Sequence, residues 1–209
     1  WNIACYRGID STASGQTLQN FATAATDYIR IYTPTETNEV GVSQRHRGKR
    51  TRSGYQLVVH TSGASGNVLT INGATINIFH IRLEGLFIKR SGTSAATGSC
   101  DALSFQDINA NDGDARAIDC VIEGSDSVAV TSSTHVGLTC VSGAGVTPAF
   151  RIGNNIIYNF KTAGVTTHEA AVLFTSAAGS IYCYNNTSYR CEQGFKHTTG
   201  FAYAKNCIG

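Results

Sequence analysis

The stretches that decide the fold are Glu84-Gly85-Leu86-Phe87-Ile88, Ile118-Asp119-Cys120-Val121-Ile122, Asn154-Asn155-Ile156-Ile157-Tyr158, Asn185-Asn186-Thr187-Ser188-Tyr189 and Lys205-Asn206-Cys207-Ile208-Gly209. With Leu138-Thr139-Cys140-Val141-Ser142 they share one pattern, a turn-tolerant residue followed by a small or apolar one. The turn position is taken by Gly85, Asp119, Thr139, Asn155, Asn186 and Asn206. Gly, Asn and Asp are the residues that best accept left-handed backbone angles. The next position, Leu86, Cys120, Cys140, Ile156, Thr187 and Cys207, reads as an inward-facing stack. A recurring unit that cannot bury its apolar face alone must stack on its neighbours.

The composition agrees with such a stack. Of 209 residues 22 are Gly and 2 are Pro, 42% are hydrophobic, and only 14% are charged, where about 25% is usual. Ser, Thr and Asn are abundant, and Met is absent. The chain is too apolar for disorder and lacks the Ala/Leu/Glu/Lys richness of a helical bundle. Short β-type runs bounded by Gly, Asn, Asp or Ser recur from Trp1–Tyr6 to Phe201–Ile208, including Ile81–Ile88, Ala117–Glu123 and Ile152–Phe160. Helical spacing is confined to Thr17–Ala25. The expectation is an all-β chain forming one right-handed parallel β-helix over residues 1–209, with about eight to ten coils at roughly 20 to 25 residues per coil. The segments Asn154-Asn155-Ile156, Asn185-Asn186 and Asn206-Cys207 resemble the asparagine turns of the pectin-lyase-like β-helix superfamily. The stretches Tyr28–Pro34 and Glu39–His46 are similar to β-helix proteins from bacteriophage and environmental sequence. That resemblance implies the fold, and for most members it implies no activity.

The net charge of +2 argues against nucleic acid as a partner, and no apolar run is long enough for a membrane span. The seven cysteines contain no C-x-x-C pair, so zinc is disfavoured and buried free thiols are expected, with Cys183–Cys191 as the most plausible bridge. Candidate chemistry is sparse. Asp107, Asn109, Asn111, Asp112 and Asp114 place oxygen ligands in a calcium-like rhythm, but the glycine is one place late and Ile118 stands where a glutamate is needed. Calcium is the one cofactor the sequence suggests, and a polar turn is the competing reading. Asp112, Asp114, Asp119, Glu123 and Asp126 would serve glycoside hydrolysis if stacking paired them. The cationic run Arg45–Arg52 reads as a solvated loop or one that docks on acidic groups of a neighbouring subunit. His168, Glu169 and His197 could converge in the late coils. Aromatics concentrated in the last third suit a sugar-binding face or the solenoid core.

The function expected is a non-catalytic, rigid surface component of virion fibre, spike or decoration type, extracellular or on a virion, self-associating or set among neighbouring subunits. A polysaccharide lyase or hydrolase acting on an acidic glycan, and a glycan-binding module, are the alternatives. Residues 1–209 begin in a strand-like run and end in a coil motif, so they are read as the ordered core of a longer chain whose β-helix ends are covered.

Overall fold

The computed structural model describes residues 1–36, 38, 43, 45, 46, 48, 54–60, 66–73, 80–91, 100–108, 112–125, 135–143, 145–161 and 169–209, save the side chain of residue 177. All of its named elements are β-strands. They succeed one another in threes. The first coil is β1 (Asn2–Ala4), β2 (Gly8–Thr12) and β3 (Gln16–Gln19), and the second is β4 (Ile29–Tyr32), β5 (Tyr55–His60) and β6 (Leu69–Asn72). The third is β7 (His80–Glu84), β8 (Phe87–Ser91) and β9 (Leu103–Ile108), and the fourth β10 (Asp114–Ile118), β11 (Val121–Glu123) and β12 (His135–Ser142). Then come β13 (Ala149–Gly153), β14 (Ile156–Tyr158), β15 (Glu169–Tyr184), β16 (Thr187–Tyr189) and β17 (Gln193–Lys205).

Every pairing is parallel, and each strand pairs with its equivalent one coil away. The second strands form a six-stranded sheet in the order β16-β14-β11-β8-β5-β2. The first and third strands make the other two faces. These are joined because β15 and β17 bend across one corner, so that β15 pairs β12 through Glu169–Thr175 and β13 through Ser180–Tyr184. The molecule is therefore a three-faced parallel β-solenoid. Six coils and the first strand of a seventh are visible among the described residues. The expectation of eight to ten coils assumed roughly 20 to 25 residues per coil, and register partners such as Ile29 and Ile81 or Ile81 and Ala115 stand further apart than that. The chain between faces, not the strands, lengthens the repeat. Thr17–Ala25 is not a helix: Gln16–Gln19 is β3, and the residues after it, to Ala25, are irregular.

Alternate residues of each strand point inward and stand on their counterparts. On the first face one inward column runs Ile29, Ile81, Ala115, Phe150, Ile181 and Ala202. On the third face another runs Leu18, Ile71, Phe105, Cys140, Phe174 and His197. Large and small residues alternate where the columns meet. Phe150 reaches over Ala115 to sit 6.2 Å from Phe105 and 5.8 Å from Phe174, ring centre to ring centre. Such tilted and edge-on contacts are the favoured aromatic geometries.

The corner between first and second strands is a two-residue turn. Its first residue has positive φ in each of five coils: Gly85 (70°), Asp119 (55°), Asn154 (55°), Asn185 (53°) and Asn206 (54°). Its second residue points inward: Leu86, Cys120, Asn155, Asn186 and Cys207. This corrects the sequence reading by one residue in two coils, since Asn155 and Asn186 are the inner residues and the strained ones are Asn154 and Asn185. The Thr139-Cys140 pair belongs to a different face, inside β12. The inner pair is fully bonded although only 1% exposed. Asn155 Oδ1 accepts from Cys120 N at 2.8 Å, and its Nδ2 donates to Ala117 O at 2.9 Å and to Asn186 Oδ1 at 3.0 Å. Asn186 Oδ1 also accepts from Asn155 N, and its Nδ2 donates to Ile152 O at 2.8 Å. An outer amide ladder runs parallel to it, from Asn206 to Asn185 and from Asn185 to Asn154, each at 3.1 Å. Where cysteine replaces the inner asparagine, its thiol donates to the coil beneath: Cys120 to Leu83 O and Cys207 to Cys183 O.

All seven cysteines are free, and the one bridge the sequence made plausible, Cys183–Cys191, is not formed: Cys183 lies inside β15 while Cys191 follows β16 and donates to Ile157 O. Burial pushes the Cys5 thiol up to about 11 and those of Cys120 and Cys183 to about 12, which suits packing groups rather than nucleophiles. Polar groups are buried at another corner. Glu123, 1% exposed, pairs with Lys89 at 3.3 Å across the second sheet. Asp101 accepts from Thr139 Oγ1 at 2.7 Å. His135, with no exposed surface, packs on Phe160, and burial with nearby Arg90 pushes its pKa down to about 4.

Two measurements check these roles. Asn186→Ala removes the acceptor for two Asn155 donors, and each buried group left unpaired costs about 1–3 kcal/mol, so its urea unfolding midpoint falls well below that of the exposed-ladder variant Asn206→Ala. His135 takes up protons more readily unfolded than folded. Its contribution to stability is complete above about 6.5, the ordinary histidine value, and is lost as pH falls toward about 4. Denaturation at stepped pH should show this slope for the native chain and a flatter one for His135→Gln.

Candidate functional site

The outward side of the first face carries a column that no sequence motif announced. Register places Asn2, Arg30, Arg82, Arg116, Arg151, Tyr182 and Tyr203 on one line across successive strands. Neighbouring strands lie about 4.8 Å apart, so four guanidinium groups stand one above another. Like charges directly opposite each other in a sheet are destabilising. The structure relieves this in two ways. Glu84 Oε2 accepts from Arg30 Nε at 3.0 Å and Nη2 at 2.6 Å, which also raises the pKa of Arg30. Asp114 receives Arg116 on one carboxylate oxygen, through Nε at 2.7 Å and through Nη2, and Arg151 Nη1 on the other. Tyrosine rings provide the rest, with Arg30 4.1 Å over Tyr32, Arg82 3.7 Å over Tyr28 and Arg151 5.6 Å over Tyr182. Arg82 has no carboxylate partner among the described residues.

Beyond Arg151 the column turns aromatic. Tyr182 and Tyr203 stack 5.0 Å apart at 7°, with Tyr184 6.5 Å from Tyr182. Tyr184, Phe201 and Tyr203 are exposed. The face thus changes from cationic to aromatic along its length, without changing its spacing.

Below the aromatic end, a cavity of about 320 Å³ opens among Ala25, His80, Arg82, Asp112, Gly113, Asp114, Arg116, Thr147, Ala149 and Arg151. It exists because the column beside the arginines runs His80, Asp114, Ala149 and Ser180, so that small residues follow large ones. His80 is 6% exposed, and its backbone N donates to Thr23 Oγ1 at 2.6 Å. Its Nδ1 has no hydrogen-bond partner among the described residues.

The candidates drawn from sequence scatter over this frame. Of the calcium set, Asn109 and Asn111 lie outside the described residues, Asp107 lies near the end of β9, and both Asp114 oxygens are taken by guanidinium groups. Among the described residues no group of three His, Cys, Asp or Glu side chains is placed to hold a metal. The acidic cluster is divided: Asp112 and Asp114 edge the cavity, Glu123 is buried beside Lys89, Asp119 sits on the two-residue turn, and Asp126 lies outside the described residues. The start of the cationic run docks within the chain. Arg45 Nη1 meets Asp119 Oδ2 at 2.9 Å, and the His46 ring lies 2.7 Å from Asp119 O. Arg47, Lys49, Arg50, Thr51 and Arg52 are outside the described residues, as is His168, while His197 stacks on Phe174.

No family model, curated protein or solved structure matches this chain. Asp114→Ala leaves Arg116 and Arg151 without their shared counter-ion. The expected result is a melting temperature lower by several degrees, restored by millimolar sulfate more than by equal ionic strength of chloride in thermal denaturation. Equal recovery in both salts would reduce the effect to screening.

Proposed function

We propose that this chain is a rigid, non-catalytic surface component whose first face binds an extended glycan. The observation that carries this reading is the column of four arginines continuing into stacked tyrosines. A sheet that keeps like charges in register goes against its own pairing preferences, and such departures concentrate where function requires them. Tyrosine rings present flat apolar faces to sugar rings, and the guanidinium groups offer donors to hydroxyl and acidic substituents. The evenly stacked strands provide a straight track, already ordered before a ligand arrives.

Catalysis finds less support. Hydrolysis by two carboxylates needs a pair spanning the scissile bond, with separations of about 5 to 9.5 Å according to mechanism. Asp114, the carboxylate at the centre of the face, is held by two arginines. A general acid or base so engaged is poorly placed to exchange protons with a substrate. The setting proposed is extracellular or on a virion, in a fibre, spike or decoration-type assembly of the pectin-lyase-like architecture. Ile3 and Ile9, exposed around an apolar cavity of about 640 Å³ at the first coil, offer neighbouring subunits a surface.

A screen of neutral and acidic polysaccharides, with and without calcium, tests both halves of the reading. Binding without release of reducing or unsaturated ends is expected. Tyr182→Ala with Tyr203→Ala should weaken binding roughly tenfold, about 1.4 kcal/mol. Reproducible depolymerisation would replace the proposal with an enzyme.

A further inference from the structure

We infer that the cavity holding His80, Arg82, Arg116 and Arg151 is a seat for one singly charged anionic substituent, a carboxylate or a sulfate ester, on the saccharide bound along the first face. The inference rests on the glycan reading for its ligand, but the seat itself rests on separate observations. The first is charge. Arg82, Arg116 and Arg151 line the recess of about 320 Å³ together with Asp112 and Asp114, a formal balance of one positive charge. That balance suits a monoanion, and a dianion would exceed it.

The second is donor availability. Arg116 and Arg151 are engaged by Asp114, whose carboxylate shows how an oxyanion is held at this spacing. Arg82, one strand away and in register with Arg116, has its guanidinium carbon 3.7 Å from the Tyr28 ring centre and no carboxylate partner among the described residues. A guanidinium fork fits a carboxylate or sulfate edge with two parallel hydrogen bonds. The third is His80. It is more than nine-tenths buried, lines the recess, and leaves Nδ1 without a partner among the described residues. The recess thus has a buried imidazole in its lining beside the guanidinium of Arg82. His80 and Arg82 project from the same side of β7, two residues apart. They meet the anion from one strand while Ala149 leaves the space it occupies.

The experiment uses the whole chain and a matched set of tetrasaccharides: a neutral parent, and the same parent carrying one carboxylate, one sulfate ester or one phosphate monoester. Calorimetry at pH 8 should show the carboxylate and sulfate forms binding about tenfold tighter than the neutral parent, with the doubly charged phosphate form gaining less. Arg82→Gln should erase that gain, so that the carboxylate and sulfate forms bind the variant no more tightly than the neutral parent does. Where the neutral parent binds, a gain that survives Arg82→Gln, or no gain in the native chain, overturns the seat. Methyl sulfate alone, titrated while the His80 imidazole signals are followed by NMR, separates the two proposals. If no saccharide binds but methyl sulfate still moves the His80 signals in the native chain and not in Arg82→Gln, the glycan reading fails and the anion seat stands. Unmoved His80 signals overturn the seat.

Discussion

Parallel, in-register stacking means that each residue sits about 4.8 Å from its counterpart in the next coil. In a fold built this way the question for any side chain is whether it tolerates its own neighbours in the column. Apolar residues do so readily, and Ile29, Ile81, Ala115 and Phe150 follow one another inside the first face. Amides do so because one group both donates and accepts, so Asn155 and Asn186 satisfy each other without water. Charges tolerate it poorly. The low charged fraction of the chain is a result of this, and so is the interest of the first-face column in which arginine repeats.

The turn glycines and asparagines are legible in sequence because few residues accept left-handed angles. Gly85, Asp119 and Asn206 are placed correctly from sequence, while the Asn-Asn pairs are ambiguous: either member fits a left-handed position, and only the three-dimensional path shows that the first bends and the second points inward. Runs such as Ile81–Ile88 read as single strands because a two-residue turn made of Gly85 and Leu86 interrupts neither hydrophobicity nor length. The arginine column is hidden in the sequence, although a signal exists. Each of Arg82, Arg116, Arg151, Tyr182 and Tyr203 stands three residues before a turn residue, in segments such as Ile81-Arg82-Leu83 and Phe150-Arg151-Ile152. The cavity is beyond sequence altogether, because Ala149 becomes opposite to Asp114 only through register.

Arg45 and His46 show how the chain outside the coils is used. They fold back on Asp119, so a cationic stretch that could have sought another subunit is partly neutralised within its own. Gly85 is needed there for more than its φ of 70°: a side chain would run into Arg45 and Thr33, whose hydroxyl donates to Gly85 O at 2.8 Å. One residue thus serves both the ladder and the strap laid over it.

Stability in such a stack is nearly one-dimensional, because each coil touches only the coils before and after it. His80, Arg82, Arg116 and Arg151 belong to the third, fourth and fifth coils, with packed coils on both sides. A ligand seated there rests on coils packed from both sides, and local opening has to undo both contacts before it reaches the recess.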